Sequence, residues 1–376
     1  MSAASFAACV LTTSLAAAPG APRPSGATPP PAYEIVDLGD FGGELANAHS
    51  INDAGQVVGT AEDPELDTLP FLWRDGTLTD LGTLRPDREH GHGIAYSISA
   101  NGQVAGYSMA PSPNGIGTLA HAFFWSEQDG MVDVDPRPGT IISSYAWGVN
   151  SAGQVVGQIL GQDGGPFLWT REGGVTMLRL PDAPVGYGGM AEDISETGLV
   201  CGEQYNANFD YVGWVYDSAT GEMRELGHIG KPMSEARSIN NAGQVVGSST
   251  RENNQQRPVL WLDDGVIVDL GFLSVPNFSQ GVAEGVNDQL WVVGEDSYDG
   301  NGVPTKGWLW IDGSKHELRT LVADAAERDR WDELTAPLDI NNRGEIVGIG
   351  IREGVPGRAF LMRPLPADAI FADGFD

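Results

Sequence analysis

The chain has 376 residues with 51 Gly, 24 Pro and a formal charge of −30, from 51 Asp and Glu against 21 Lys and Arg. Turn formers at this density, with few helix-favouring stretches, point to short strands joined by turns. The charge excludes an unassisted nucleic-acid partner and disfavours anionic membrane surfaces, since both need clustered basic side chains, and two cysteines, Cys9 and Cys201, exclude a disulfide framework.

Residues 2 to 18 form an apolar run ending in small residues, and a Pro-rich spacer continues to Pro31. This is the pattern of a secretory signal, so an extracellular or cell-envelope location is expected. The basic segment that ordinarily opens such a signal is missing. Phe6-Ala7-Ala8-Cys9 loosely resembles a lipidation site, but the apolar run continuing past Cys9 argues against it. No other stretch is apolar for long enough to span a bilayer. The expected division is 1–31 as leader and spacer, 32–364 as one folded unit, and 365–376 as a tail.

Tyr33-Glu34-Ile35-Val36-Asp37-Leu38-Gly39 reads as a lone strand. After it, Ser50-Ile51-Asn52-Asp53-Ala54-Gly55-Gln56-Val57-Val58-Gly59 begins a pattern that returns at Gly148–Gly157 and Ser238–Gly247, with variants ending at Gly106, Gly202, Gly294 and Gly348. The seven copies are 45 to 54 residues apart, a period that belongs to repeat folds. In each copy an Asn-x-x-Gly or related turn joins strands a and b, because Asn or Ser starts the turn through its side chain and Gly takes the left-handed position. Strand c carries Phe71-Leu72-Trp73, Phe123-Phe124-Trp125, Phe167-Leu168-Trp169, Trp214-Val215-Tyr216, Val259-Leu260-Trp261, Trp308-Leu309-Trp310 or Phe360-Leu361-Met362. Strand d follows a tight turn, as in Thr77–Gly82, with period-two alternation.

The last copy lacks strand d, and the lone N-terminal strand matches the missing piece. Complementary half-repeats at the two ends would be useless to an open solenoid but close a ring. The sequence therefore predicts an all-β fold, a seven-bladed β-propeller of four-stranded antiparallel blades whose last blade is completed by the N-terminal strand. Cys201, standing where other copies carry the second Val of Val-Val-Gly, is expected as a small buried residue.

His121-Ala122-Phe123-Phe124-Trp125 resembles the signature of the bacterial extracellular repeat family named for its His-Ala-Phe motif, a likeness spanning about residues 33 to 362. The resemblance implies secretion and a repeat fold, and no defined activity. His121 has no counterpart in the other copies, so it is not a repeated functional group. The ending Ala369–Asp376 resembles a short acidic-aromatic tail of exported proteins, which implies either a sorting tag or a frayed terminus.

The a–b and c–d turns are short, whereas the b–c and d–a connections, among them 60–69, 85–93, 107–120 and 322–336, are long and varied. Long loops on a rigid scaffold commonly carry binding sites, so the ligand is expected on that face. Its candidates are Tyr145, Trp147, Tyr187, Tyr205, Asn206, Asn277, Phe278 and Tyr298, with Asn208 and Phe209 beside them: aromatic and amide groups that suit a carbohydrate or an extracellular protein. Each taken singly is more often a packing peg. His90 and His92 are the candidate metal ligands, although ordinary solvated histidines are the plainer reading. Residues 296–302 have the composition of a calcium loop, but no register places the ligands, so a turn-rich excursion is expected.

No catalytic motif is present, and no cofactor is expected. The expected role is a secreted or surface binding propeller, acting as a monomer. A glycan-cleaving hydrolase or lyase with carboxylates at the channel mouth, and a structural surface protein, are the alternatives. A raised carboxyl pKa beside a second carboxylate in the channel would favour the enzyme.

Overall fold

The computed structural model describes residues 29–85, 91–134, 139–181, 183–184, 186, 188–274, 278–297 and 305–366. Within them the chain is a seven-bladed β-propeller of seven four-stranded antiparallel sheets. The innermost strands, a, are Ala46–Ile51, Gly93–Ile98, Ser144–Val149, Gly189–Ile194, Ser234–Ile239, Gln280–Val286 and Trp331–Ile340, for blades 1 to 7. Six blades use consecutive strands. In the seventh, Tyr33–Asp37 is strand d and pairs with Val355–Pro364, from Tyr33 opposite Pro364 to Asp37 opposite Phe360. Tyr33 is fully buried there, and its hydroxyl donates to the Gly344 carbonyl at 3.1 Å.

The repeated residues explain the stacking of the blades. In strand b of blade 1, Val57 and Val58 point to opposite faces and are both inaccessible to solvent. Val57 packs with Val347 and Leu361 of blade 7, and Val58 with Ala95 and Phe123 of blade 2. Phe71 and Trp73 in strand c follow Val57, while Leu72 follows Val58. Both faces of every blade are thus core, which removes the usual apolar/polar alternation of a solvated sheet. Each such side chain stabilises the ring by roughly 1.5–3 kcal/mol relative to exposure. Cys201 is wholly buried in the equivalent layer of blade 4.

In the five turns that carry Asn, its side chain also fastens neighbouring blades. Asn52 Oδ1 accepts from the Ala54 and Gln56 N–H groups, and its Nδ2 donates across the interface to the Ser99 carbonyl at 3.1 Å. The same bond runs from Asn150 to Ser195, Asn240 to Asn287, Asn287 to Asn341 and, across the closure, from Asn341 to Asn52. The turn glycine has φ between 74° and 85° in six copies, and in blade 6 Leu290 holds the position at 63°.

Two long connections differ from expectation. Residues 107–120 are mostly extensions of strands Val104–Pro111 and Thr118–Ser126, and 322–336 contain a short helix, Ala325–Arg330, and the start of a ten-residue strand. Antiparallel pairing simply continues past the blade, because the Ala110 and Leu119 pair keeps the ladder in register.

Candidate binding site in the central channel

Every inner strand contains a bulge at one position. In blade 1 Ala48 pairs with Gly59 and Ser50 with Val58, so His49 has no opposite residue. The corresponding residues are Tyr96, Trp147, Glu192, Arg237, Glu284 and Leu338. A bulge re-aims its extra side chain, and all seven line a cavity of about 330 Å³ that also includes the a–b turns. The Gly of Val-Val-Gly makes this possible. A Cβ on Gly59 would stand 1.9 Å from the Asn47 carbonyl oxygen, and the six equivalent glycines meet the same obstacle at 1.9–2.2 Å.

In blades 4 and 7 the residue after the bulge is an Asp that bonds across to the next blade. Asp193 Oδ2 accepts from Ser238 Oγ and Ile239 N–H, both at 3.0 Å, and Asp339 Oδ2 accepts from Ser50 Oγ and Ile51 N–H at 2.8 and 2.9 Å. Burial lifts the Asp193 carboxyl to about 6. At the rim, Glu196 bridges the Ala100 and Ser151 N–H groups, and Asp53 and Asp288 hold the turns of blades 7 and 5.

The cavity has two unlike walls. Blades 1 to 3 supply rings: His49 meets Tyr96 edge-on at 5.2 Å, and Tyr96 lies 4.3 Å from Trp147, which stacks on Tyr145 at 6.0 Å. Burial lowers the His49 pKa to about 4, so its imidazole is neutral at pH 7. Blades 4 to 6 supply carboxyls around one guanidinium. Arg237 donates to Glu192 and to Glu235, each at 3.0 Å. Behind them Glu203, 2% exposed, is pushed well above the usual carboxyl range by burial and then by Glu192. Burial also raises Glu284, and with Glu284 and Asp296 nearby it lifts Glu295 to about 7. His49 Nε2, Trp147 Nε1, Glu203 Oε2 and Arg237 Nε are buried with no hydrogen-bond partner among the described residues. Glu203 gains one if it shares a proton with Glu192.

The residues singled out from the sequence divide. Tyr145 and Trp147 are not loop residues but lie on strand a of blade 3. The sequence reading ran the preceding loop too far; Trp147 lines the channel and Tyr145 stacks on it. Tyr205 ends strand b of blade 4 and packs on Tyr211 at 4.9 Å. Asn206 is buried and its Oδ1 caps the turn by accepting from Asn208 and Asp210, while Phe209 is exposed. Phe278 is 5% exposed within the blade 5–6 core. Tyr187, Asn277, Tyr298 and His90 lie outside the described residues. His92 Nδ1 accepts from the Thr68 N–H at 3.2 Å. Among the described residues no group of three His, Cys, Asp or Glu side chains is placed to hold a metal. Asp296 is fully buried and bonded to Lys315, Trp308 Nε1 and Leu273 N–H. His49, Tyr96, Glu192, Arg237 and Glu284 were missed. Their signal was a column of seven aligned copies that varies between nearly constant neighbours.

No family model and no curated protein matches the chain. Among solved structures, the β-propeller domain of the Trilobed protease from Pyrococcus furiosus is 10% identical over 85% of this chain and 95% of that one, with a TM-score of 0.51. TolB from Acinetobacter baumannii is 9% identical over 87% and 65%, at 0.41. The SapL1 lectin, solved with alpha methyl fucoside, is 10% identical over 73% and 96%, at 0.35. At these identities the likeness establishes the propeller fold alone. No helix among the described residues is long and apolar enough to cross a membrane.

Proposed function

We propose that the protein is a secreted or cell-surface binding propeller, in line with its resemblance to the His-Ala-Phe repeat family, and that it takes part of a carbohydrate or extracellular protein into the channel mouth on the a–b turn side. The observation that carries this is the convergence of seven bulged side chains, chemically different in nearly every blade, on one cavity. A purely structural ring would repeat one side chain there, as it repeats the Asn of the turns. The long-loop face is a weaker candidate, because Phe278 and Asn206 are committed to packing and turn formation.

Trp147 reports occupancy. Titrating the mature chain with neutral oligosaccharides and with peptides should change tryptophan fluorescence, and Tyr96→Ala should weaken that response at least tenfold. A ligand that binds Tyr96→Ala and the parent equally would place the site elsewhere.

The glycan-cleaving reading draws support from the raised carboxyls of Glu192 and Glu203. Two carboxyls close enough to share a proton are nearer than the roughly 5–9.5 Å that glycosidic acid/base pairs use, so binding is the better account. New reducing ends during the oligosaccharide titration would reverse that preference.

A further inference from the structure

The geometry points to a guest bearing an alkylammonium group, the side chain of a lysine on an extracellular protein, seated between the Tyr96 and Trp147 rings and the Glu192–Glu284 wall; this rests on the channel-mouth reading above. Seven carboxyl groups line the cavity against one guanidinium, Arg237. Arg237 is matched to Glu192 and Glu235, and Glu284 makes no hydrogen bond or ion pair among the described residues although its carboxyl is enclosed and lines the cavity. A carboxylate removed from water without a partner is costly, and a guest ammonium supplies both the charge and up to three donors.

The opposite wall fits the same guest. A cation over an aromatic face is attracted by the ring's negative charge distribution, and the effect grows when water is excluded. The alkyl stem of a lysine can lie along the rings while its head reaches the acids. An anionic sugar or phosphate would be repelled by the walls, and a neutral sugar would leave Glu284 only the positive charge of Arg237, which Glu192 and Glu235 already engage by direct ion pairs. The rim carboxylates Asp53, Glu196 and Asp288 extend the preference for positive charge to residues flanking the lysine.

The test is calorimetric titration of the mature chain with Nα-acetyl-lysine methylamide, with cadaverine, and with the uncharged analogue Nα-acetyl-norleucine methylamide, at 0.15 M salt. Binding of the lysine derivative, at least tenfold weaker for Glu284→Gln and for Trp147→Phe but unchanged for the exposed Glu44→Gln, is the expected result. Cadaverine binding more tightly than the lysine derivative would overturn the protein-borne source in favour of a free diamine. Equal binding of the norleucine analogue, or lysine binding indifferent to Glu284→Gln, would overturn the proposal by showing that charge in the channel is not recognised. If a neutral oligosaccharide quenches Trp147 and no amine does, the inference falls and the channel reading stands. If Tyr96→Ala alters no titration of any kind, both fall.

Discussion

Replacing Asn287 by Ala tests whether the turn residue binds neighbouring blades together. Three hydrogen bonds disappear: Nδ2 to the Asn341 carbonyl at 3.0 Å, and those accepted from Gln289 and Trp291 N–H at 3.1 and 2.9 Å. Asn287 is 3% exposed, so water cannot readily replace them. The Asn341 carbonyl keeps the Gly344 N–H at 3.0 Å, but the Trp291 N–H loses its acceptor. At roughly 0.5–1.5 kcal/mol net per bond, the loss should be about 2–4 kcal/mol. The turn has little reserve, because Leu290 rather than Gly holds its left-handed position. Urea unfolding followed by tryptophan fluorescence reads the change as a lower midpoint at constant slope. Asn287→Asp separates the two roles: it keeps the accepting oxygen but turns a second one toward the Asn341 carbonyl. It should be less stable than Asn287→Ala at pH 7.5 and recover on acidification, since its folded-state pKa would be raised. A loss below about 0.5 kcal/mol for Asn287→Ala, the scatter of ordinary surface changes, would refute the stitching argument.

Deleting Tyr33–Gly39 should uncover the edge of strand Val355–Pro364 and lower the melting temperature of the whole ring, and an unchanged melting curve would sink the closure. Gly157→Ala should cost at least about 1–3 kcal/mol, because its Cβ meets the Tyr145 carbonyl at 1.9 Å and backbone cannot step aside; a neutral result would mean that the bulge is dispensable. Glu295 has a folded-state pKa of about 7, above that of an unfolded carboxyl, so its contribution is fully present below about pH 4 and is lost as pH rises through 7. Melting measured from pH 5 to 8 should therefore fall less steeply for Glu295→Gln than for the parent chain, and identical slopes would show that this carboxyl is not perturbed.

The architecture was legible because its devices repeat. Asn-x-x-Gly, Val-Val-Gly and the aromatic strand c recur, intact or with single-residue variations, from copy to copy, and the two half-blades announce closure by being complementary. The binding wall was not legible, because the bulged position carries His49, Tyr96, Trp147, Glu192, Arg237, Glu284 and Leu338, and a position that differs in almost every copy leaves no motif. Loop length misled for a physical reason. Residues 107–120 look like a free loop only if strands are assumed to stop at the blade edge, whereas their backbone groups stay paired into an extended hairpin. Trp147 was noticed for its chemistry and assigned to a loop, since nothing in Ser143-Ser144-Tyr145-Ala146 marks where pairing with strand b begins.

The closure also decides how the molecule can be handled. Ala32 and Leu365 are joined by a backbone hydrogen bond of 2.8 Å, and both lie where strands c and d turn, the side that bears the cavity. A tag attached directly at residue 32 or 365 therefore emerges beside the cavity, and a support that grips it brings the mouth toward itself. A circular permutant with the native ends joined and new ends opened between Asp63 and Asp67, on the opposite side, turns the mouth outward. Comparing capture by the two forms separates occlusion by the tether from true lack of affinity.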